Sequence, residues 1–460
     1  MLIATWVIAF LIMVALGIYA GNVISQSNQW SGADRTLGVW GLACIYAAFQ
    51  IGGAAIVGAA QDGYNFGLAA MWYSLGTGSY FIVDALFAGG LRAKMTGDSV
   101  PAFLRQHFNK GLSRFYAVMF LLMMLFLIPL QSKSVASLIQ VVIPELDVRI
   151  CLVVSITLAA VYTGYAGMKG AEVIGKIVCF FTYLLLIAFV IMHLNKFGGY
   201  SGLVASLPEG HGKIFAGRMT PAYVGALILG GVLSSSLSQV VLQPLLAARS
   251  DGVARAGALL GYVISAPICI ITGIIGMMAA KHSNFSLGNG VGAFAWITKE
   301  LSHPAVAGLF FAVTTMIIAA TMATFIMSAG TVVKGLYFDL INPKATDKQL
   351  LAVSRWGTIL AAYITLIPAI LLPSSAINAL FMTVRYACGS PFSFAIIGGT
   401  FWSRVTTKAA SWSVIASTIV VAVWLVMGLD GRISVLYPSL VVSFAVGIAA
   451  TLMDSGKAKS

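Results

Sequence analysis

Apolar stretches about as long as a bilayer crossing recur from one end of this chain to the other, separated by short polar turns. A helix needs roughly 20 apolar residues to cross the hydrocarbon, and only helices or closed barrels satisfy their own backbone groups there. Read against turn signals, the runs give thirteen expected spans, labelled 0 to 12: 2–20, 38–61, 67–91, 114–140, 149–166, 171–193, 221–247, 253–280, 304–337, 349–372, 374–401, 408–428 and 433–453. The connections are too short to hold a soluble domain; the longest are 92–113, 194–220 and 281–303. With 59% of residues hydrophobic and 9% charged, function belongs inside the bilayer. The expected class is an all-α membrane protein forming a single polytopic domain over 1–460.

The net charge of +13 would suggest nucleic acid in a soluble protein, but its placement gives a different account. If residue 1 lies outside, 18 of the 27 Lys and Arg residues fall on cytoplasmic segments and 7 on external ones. The other two, Lys133 and Arg385, fall within spans. That asymmetry is a topology signal, so no nucleic-acid partner is expected. It places the N-terminus outside and the C-terminus, with Lys457 and Lys459, in the cytoplasm of a cell membrane, in the expected reading a bacterial inner membrane. Met1 to Gly21 has no basic lead and no small-residue cleavage site, which reads as a retained helix. The five cysteines lie in or beside spans without metal-ligand spacing, and no histidine pair forms a metal motif. No metal site, cofactor or obligate protein partner is expected.

Span 1 carries Gly52-Gly53 at its centre, with Gln50 beside them; span 6 carries Gly230-Gly231, then Ser234, Ser235, Ser236 and Pro244. Two breakable helices five spans apart suggest matching halves, 38–193 and 221–401, the second inverted because five is odd. Helix 0 (2–20) precedes them and two peripheral helices (408–453) follow. Transporters use such breaks to present backbone groups to solute and ions at the midplane. The competing reading is that the glycines only permit close helix packing.

Several segments carry a resemblance. Arg35-Thr36-Leu37-Gly38 leads into span 1, and Tyr162-Thr163 with Gly167, Met168 and Lys169 separates spans 4 and 5. Gln243 with Leu245 to Arg255 ends span 6, Gly335-Leu336-Tyr337 with Asn342-Pro343 and Arg355 follows span 8, and Pro391 to Ala410 joins spans 10 and 11. In this order they resemble the sodium:solute symporter family across nearly the whole chain. The resemblance implies a LeuT-like fold of five plus five inverted helices, and Na⁺ as co-substrate.

In that family one sodium ion sits between span 1 carbonyls and hydroxyls of span 8. Here Ala48 and Ile51 would supply the carbonyls, but the family spacing counted back from Tyr337 reaches Ala319 and Ala320, which have no side-chain oxygen. A second cation position, in some members, falls on Ile174 and Gly175, and a frequent span 1 aspartate is Gln50. A one-turn slip would bring Thr315, Thr321 or Thr324 to the ion instead. The resemblance thus implies sodium, whereas these side chains argue for proton coupling, exchange or uncoupled flux.

Lys133 lies mid-span, where a charge on a lone helix costs about 2.5–3.5 kcal/mol. It is expected to meet a substrate carboxylate, as a span 3 cation does in sialic-acid carriers of the family, to exchange a proton, or to snorkel past Gln131, Ser132 and Ser134. Arg385 stays charged and must be paired or hydrated, as a gate, a structural pair or an anion contact. Asp84 reads as structural or gating, or as a solute contact. Ser234 and Ser235 either face a cavity or cap the break.

The expectation is a secondary carrier moving a small polar solute, carboxylate or amino-acid-like, by alternating access. The expected solute contacts are Gln50, Gly52, Gly53, Lys133, Ser234, Ser235 and Arg385, with Ala48, Ile51, Ala319, Ala320 and Gly175 as depleted ion positions. A channel would need ring-like polar positions, which the spans lack. An enzyme would need a nucleophile and base, and none pairs in the spans.

Overall fold

The computed structural model describes residues 1–21, 24–95, 97 and 99–454; Lys457 and Lys459 lie outside the described residues. Those residues are mostly helical, and the one strand-like contact among them is an isolated parallel bridge between Leu37 and Ala248. Among the described residues eight helices are long and apolar enough to cross a membrane, or up to ten, against the thirteen expected, if each of two bent pairs is one span.

Spans 4 and 5 form one helical run, Val148–Leu194. At 1.5 Å per residue its 47 residues would stretch to about 70 Å, twice the bilayer core, if straight. They turn back at Gly167, whose φ of 50° and ψ of −149° suit only a residue without Cβ. Both ends of the run lie on one face. The start follows the end of Lys110–Val142, while His193 Nε2 contacts the Leu301 carbonyl and nearby Lys299 donates to the carbonyl of Val141.

The two halves are bent at matching elements. Val39–Gln50 and the run from Ala54 to Lys94 meet at 58°, and Pro221–Leu237 meets Gln239–Leu246 at 57°. The second break is displaced from its expected place. Pro221–Leu233 runs straight through Gly230-Gly231, and the chain leaves helical geometry at Ser234 (φ −127°, ψ −56°) and Ser238 (φ −78°, ψ 149°). A Cβ on Gly230 would strike the Tyr386 ring and one on Gly231 would strike Ser79 Oγ, so these glycines serve helix packing.

Pro304–Leu340, span 8, is the central post: 94% of its apolar window is buried, against 33% in Thr407–Val426 and in Leu436–Met453. The last two helices pack on each other and join span 10 through serines. Ser417 and Ser443 share hydroxyl contacts with Ser439 and Ser413, and Ser390 lies 2.5 Å from Ser439. All five cysteines are buried free thiols.

Candidate functional site at the two helix breaks

Breaking a helix inside a bilayer frees amides and carbonyls that need partners. At the span 1 break the Gly53 amide donates to Gln131 Oε1 at 2.7 Å. The Ala48 carbonyl accepts from Thr321 Oγ1 at 2.6 Å, while Ile51 ends the helix at ψ 59°. A Cβ on Gly52 would come within 2.8 Å of both Gln131 Oε1 and Thr321 Cγ2, so glycine is what lets spans 3 and 8 reach the break. Gln50 does not stay free for solute: its Nε2 donates to Thr77 Oγ1 at 2.6 Å and its Oε1 accepts from the Tyr80 hydroxyl.

The span 6 break faces it across a narrow cavity lined by Phe49, Tyr116, Phe120, Phe325, Ser234, Ser235 and Arg385 among others. A second narrow cavity adjoins the span 1 break, and its walls include Gln50, Gly52, Gln131, Thr321, Phe381 and again Arg385. Arg385 therefore joins the two breaks. Its guanidinium carbon lies 5.8 Å from the centroid of the Tyr80 ring, a cation–π contact. Among the described residues no carboxylate lies within 4.0 Å of it. Ser234 and Ser235, 3% exposed, also line this space.

Lys133 is placed elsewhere. It is half-buried, lines none of the cavities at the breaks, and makes no hydrogen bond or ion pair among the described residues. Gln131 and Ser134, three apart and on one helical face, are the span 3 side chains that lie against the span 1 break.

A model of the sodium:solute symporter family matches residues 30–417 of this chain. The chain belongs to the sodium:solute symporter family. It is similar to the osmoregulated proline transporter OpuE of Bacillus subtilis, 22% identical over 98% of this chain and 95% of that one. The sodium/glucose cotransporter of Vibrio parahaemolyticus is 24% identical over 89% and 83%. Among solved structures, a substrate-bound, outward-open Na⁺-coupled sialic acid symporter superposes with a TM-score of 0.83 at 17% identity, covering 99% of this chain and 98% of that one. The likeness fixes the LeuT-like fold of this family member.

Within this symporter scaffold, the hydroxyl that meets the span 1 break is that of Thr321, one residue past the Ala319–Ala320 pair singled out from spacing. Thr321 also lies 3.1 Å from the Ile317 carbonyl, so its proton has an alternative acceptor when its lone pairs are needed. Ala319 and Ala320 are buried beside it and add no oxygen. Gly175 lies away from the break: a Cβ there would meet the Cys44 carbonyl at 3.1 Å, a helix-packing contact between spans 5 and 1.

The symporter is closed unequally on its two sides. On the basic face Leu37 donates to the Ala247 carbonyl at 3.1 Å and accepts from Arg249 at 3.0 Å, lacing the start of span 1 to the end of span 6. Gln243 Nε2 adds bonds to the Ser31 carbonyl and Thr331 Oγ1. On the opposite face a vestibule is walled by Gly53, Asp62, Asn65, Tyr73, Ser134, Arg218 and Asn289 among others. Asp62 and Arg218 pair across it at 2.6 Å. Gln61 and Asn65 both donate to the Asn289 carbonyl, which ties the outer end of span 1 to the glycine-rich 288–293 turn.

Proposed function

We propose that this family member is a secondary carrier of a small carboxylate-bearing solute, bound between the two helix breaks with its carboxylate on Arg385. One observation carries the reading: a permanently charged guanidinium faces the midplane cavities with an aromatic face and no carboxylate partner among the described residues. Such a charge in a low-dielectric interior is stabilised by an anion, and a planar fork suits a carboxylate. Ser234 and Ser235 offer hydroxyls to the polar remainder of the solute, and Phe49, Phe325 and Phe381 bound its apolar part. The basic face is cytoplasmic in this reading, which makes the vestibule the outer mouth and the Leu37–Ala248 bridge the closed inner one.

The proline and sugar carriers among the relatives fit the class of small polar solute and leave its charge open. The co-substrate ion is also part of the proposal. Sodium at the span 1 break would meet the Ala48 and Ile51 carbonyls and Thr321 Oγ1, with Gln131 Oε1 the other side-chain oxygen turned to Gly52.

Uptake into proteoliposomes tests the solute class. Small carboxylates are expected to enter and to exchange, their isosteric amides are not, and Arg385→Gln is expected to abolish the difference. Equal transport of acid and amide by the wild type would overturn the proposal.

A further inference from the structure

We infer that Asp84 is a proton-binding site that couples proton movement to solute transport; this rests on the carrier reading above. Asp84 lies on Ser79–Lys94, the inner part of span 2, and is 0% exposed. Its Oδ1 has no hydrogen-bond partner among the described residues, and its Oδ2 has one distant contact, the Tyr46 hydroxyl at 3.5 Å. The Tyr46 hydroxyl divides its proton between Asp84 Oδ2 and the nearer Val241 carbonyl, at 3.0 Å.

Among the described residues no cation pairs directly with the carboxyl. Arg92, toward the basic face, is spent on Asp251 at 2.7 Å and on the carbonyls of Leu245 and Leu246. Arg255, from span 7, sits with Asp251 at Gly89, more than one turn farther down. Tyr262, also from span 7, reaches the Leu75 carbonyl, and span 10 presents Phe401 at Gly90. A carboxylate with no paired cation and only one distant, shared donor is costly in a low dielectric, so the closed state holds the neutral acid.

The position of Asp84 gives that proton a use. Its neighbours Tyr46 and Val241 belong to the inner halves of spans 1 and 6, the two segments that the breaks free to move. Swinging these halves away from span 2 admits water to Asp84, where the acid releases H⁺ to water and becomes carboxylate. Tyr80, one helical turn from Asp84 on the same face, carries Arg385 over its ring. A solute carboxylate on Arg385 cancels a positive charge that lies over Tyr80, one turn from Asp84, and favours the protonated acid. The empty carrier leaves Arg385⁺ to offset the ionised form. Solute anion and proton therefore bind with positive linkage and travel together, one H⁺ per carboxylate, without net charge.

The test is reconstituted wild type and Asp84→Asn, assayed for exchange of a labelled carboxylate and for its accumulation driven by an inward proton gradient. The expected result is exchange by both proteins and accumulation by the wild type alone. Accumulation by Asp84→Asn equal to wild type, or by the wild type only with a sodium gradient, overturns the inference. Absence of exchange in the wild type overturns the carrier reading instead, and a second arm still decides on Asp84. Infrared spectra of the wild type at neutral pH should contain a protonated-carboxyl band that Asp84→Asn lacks, and its absence removes the site. Should Asp84→Asn fail to fold, Tyr46→Phe takes its place. Removing the one hydroxyl that faces the carboxylate is expected to displace the pH profile of proton-driven accumulation to the alkaline side, and an unmoved profile counts against the inference.

Discussion

At the scale of single residues, rotation about the helix axis decides everything. Successive residues on a helix differ by 100°, so Lys133 and Ser134 point to different sides of span 3. Placing Lys133 near the middle of its span was legible from the sequence, but its facing was not. The Gln131–Ser134 pair at i, i+3 was the available signal, since two polar groups on one stripe of an apolar helix mark the side turned to other backbone. The same 100° separates Ala320 from Thr321, and a count of residues back from Tyr337 does not resolve one position. Thr321→Val keeps the shape and removes the hydroxyl that meets the Ala48 carbonyl, so it should cost about 1 kcal/mol of stability and remove any sodium-dependent rise in melting temperature. Ala320→Ser should enlarge that rise; both are read by thermal unfolding in sodium against choline chloride. Gln131→Leu strands the Gly53 amide and should cost about 1–3 kcal/mol, seen as a lower melting temperature in detergent.

At the scale of elements, apolar periodicity located the helices because the bilayer demands length and hydrophobicity from each crossing. The broken helices were legible as a pair, and their bends of 58° and 57° match. The exact breakpoint of span 6 was not. Gly230-Gly231 look like the weak point, yet a helix tolerates glycines where neighbouring side chains fill the groove they leave, and Tyr386 and Ser79 do so. Ser234 to Ser238 form the break because short hydroxyl side chains compete with the helix for backbone groups. At the other hairpin Gly167 is irreplaceable for two reasons: its φ of 50° with ψ of −149°, and the Trp30 carbonyl 2.7 Å from where a Cβ would lie. Gly167→Ala should therefore lower stability by about 1–3 kcal/mol, measured as reduced yield of folded protein and an earlier unfolding transition.

At the scale of the whole molecule, span 8 is a buried post, and the first helix of each half is bent beside the cavities that Arg385 lines. The basic face is laced by backbone bonds at Leu37, and the opposite face opens into the vestibule behind Asp62 and Arg218. A thiol placed at Asn65 should therefore react with a membrane-impermeant reagent from outside the cell, and bound solute should slow the reaction. Labelling only from the cytoplasmic side would reverse the proposed orientation. Family and architecture were visible in the sequence because they depend on patterns spread over hundreds of residues. Site chemistry rests on a few side chains whose neighbours come from distant spans, as Arg385 meets Tyr80 of span 2. The most direct measurement is equilibrium binding of matched pairs, each a small carboxylate and its amide, to purified wild type and Arg385→Gln. The account predicts that the wild type binds an acid at least 10- to 100-fold more tightly than its amide, on the order of a charge-assisted hydrogen-bond pair, and that the variant does not discriminate. Undiminished preference for the acid in Arg385→Gln would contradict it.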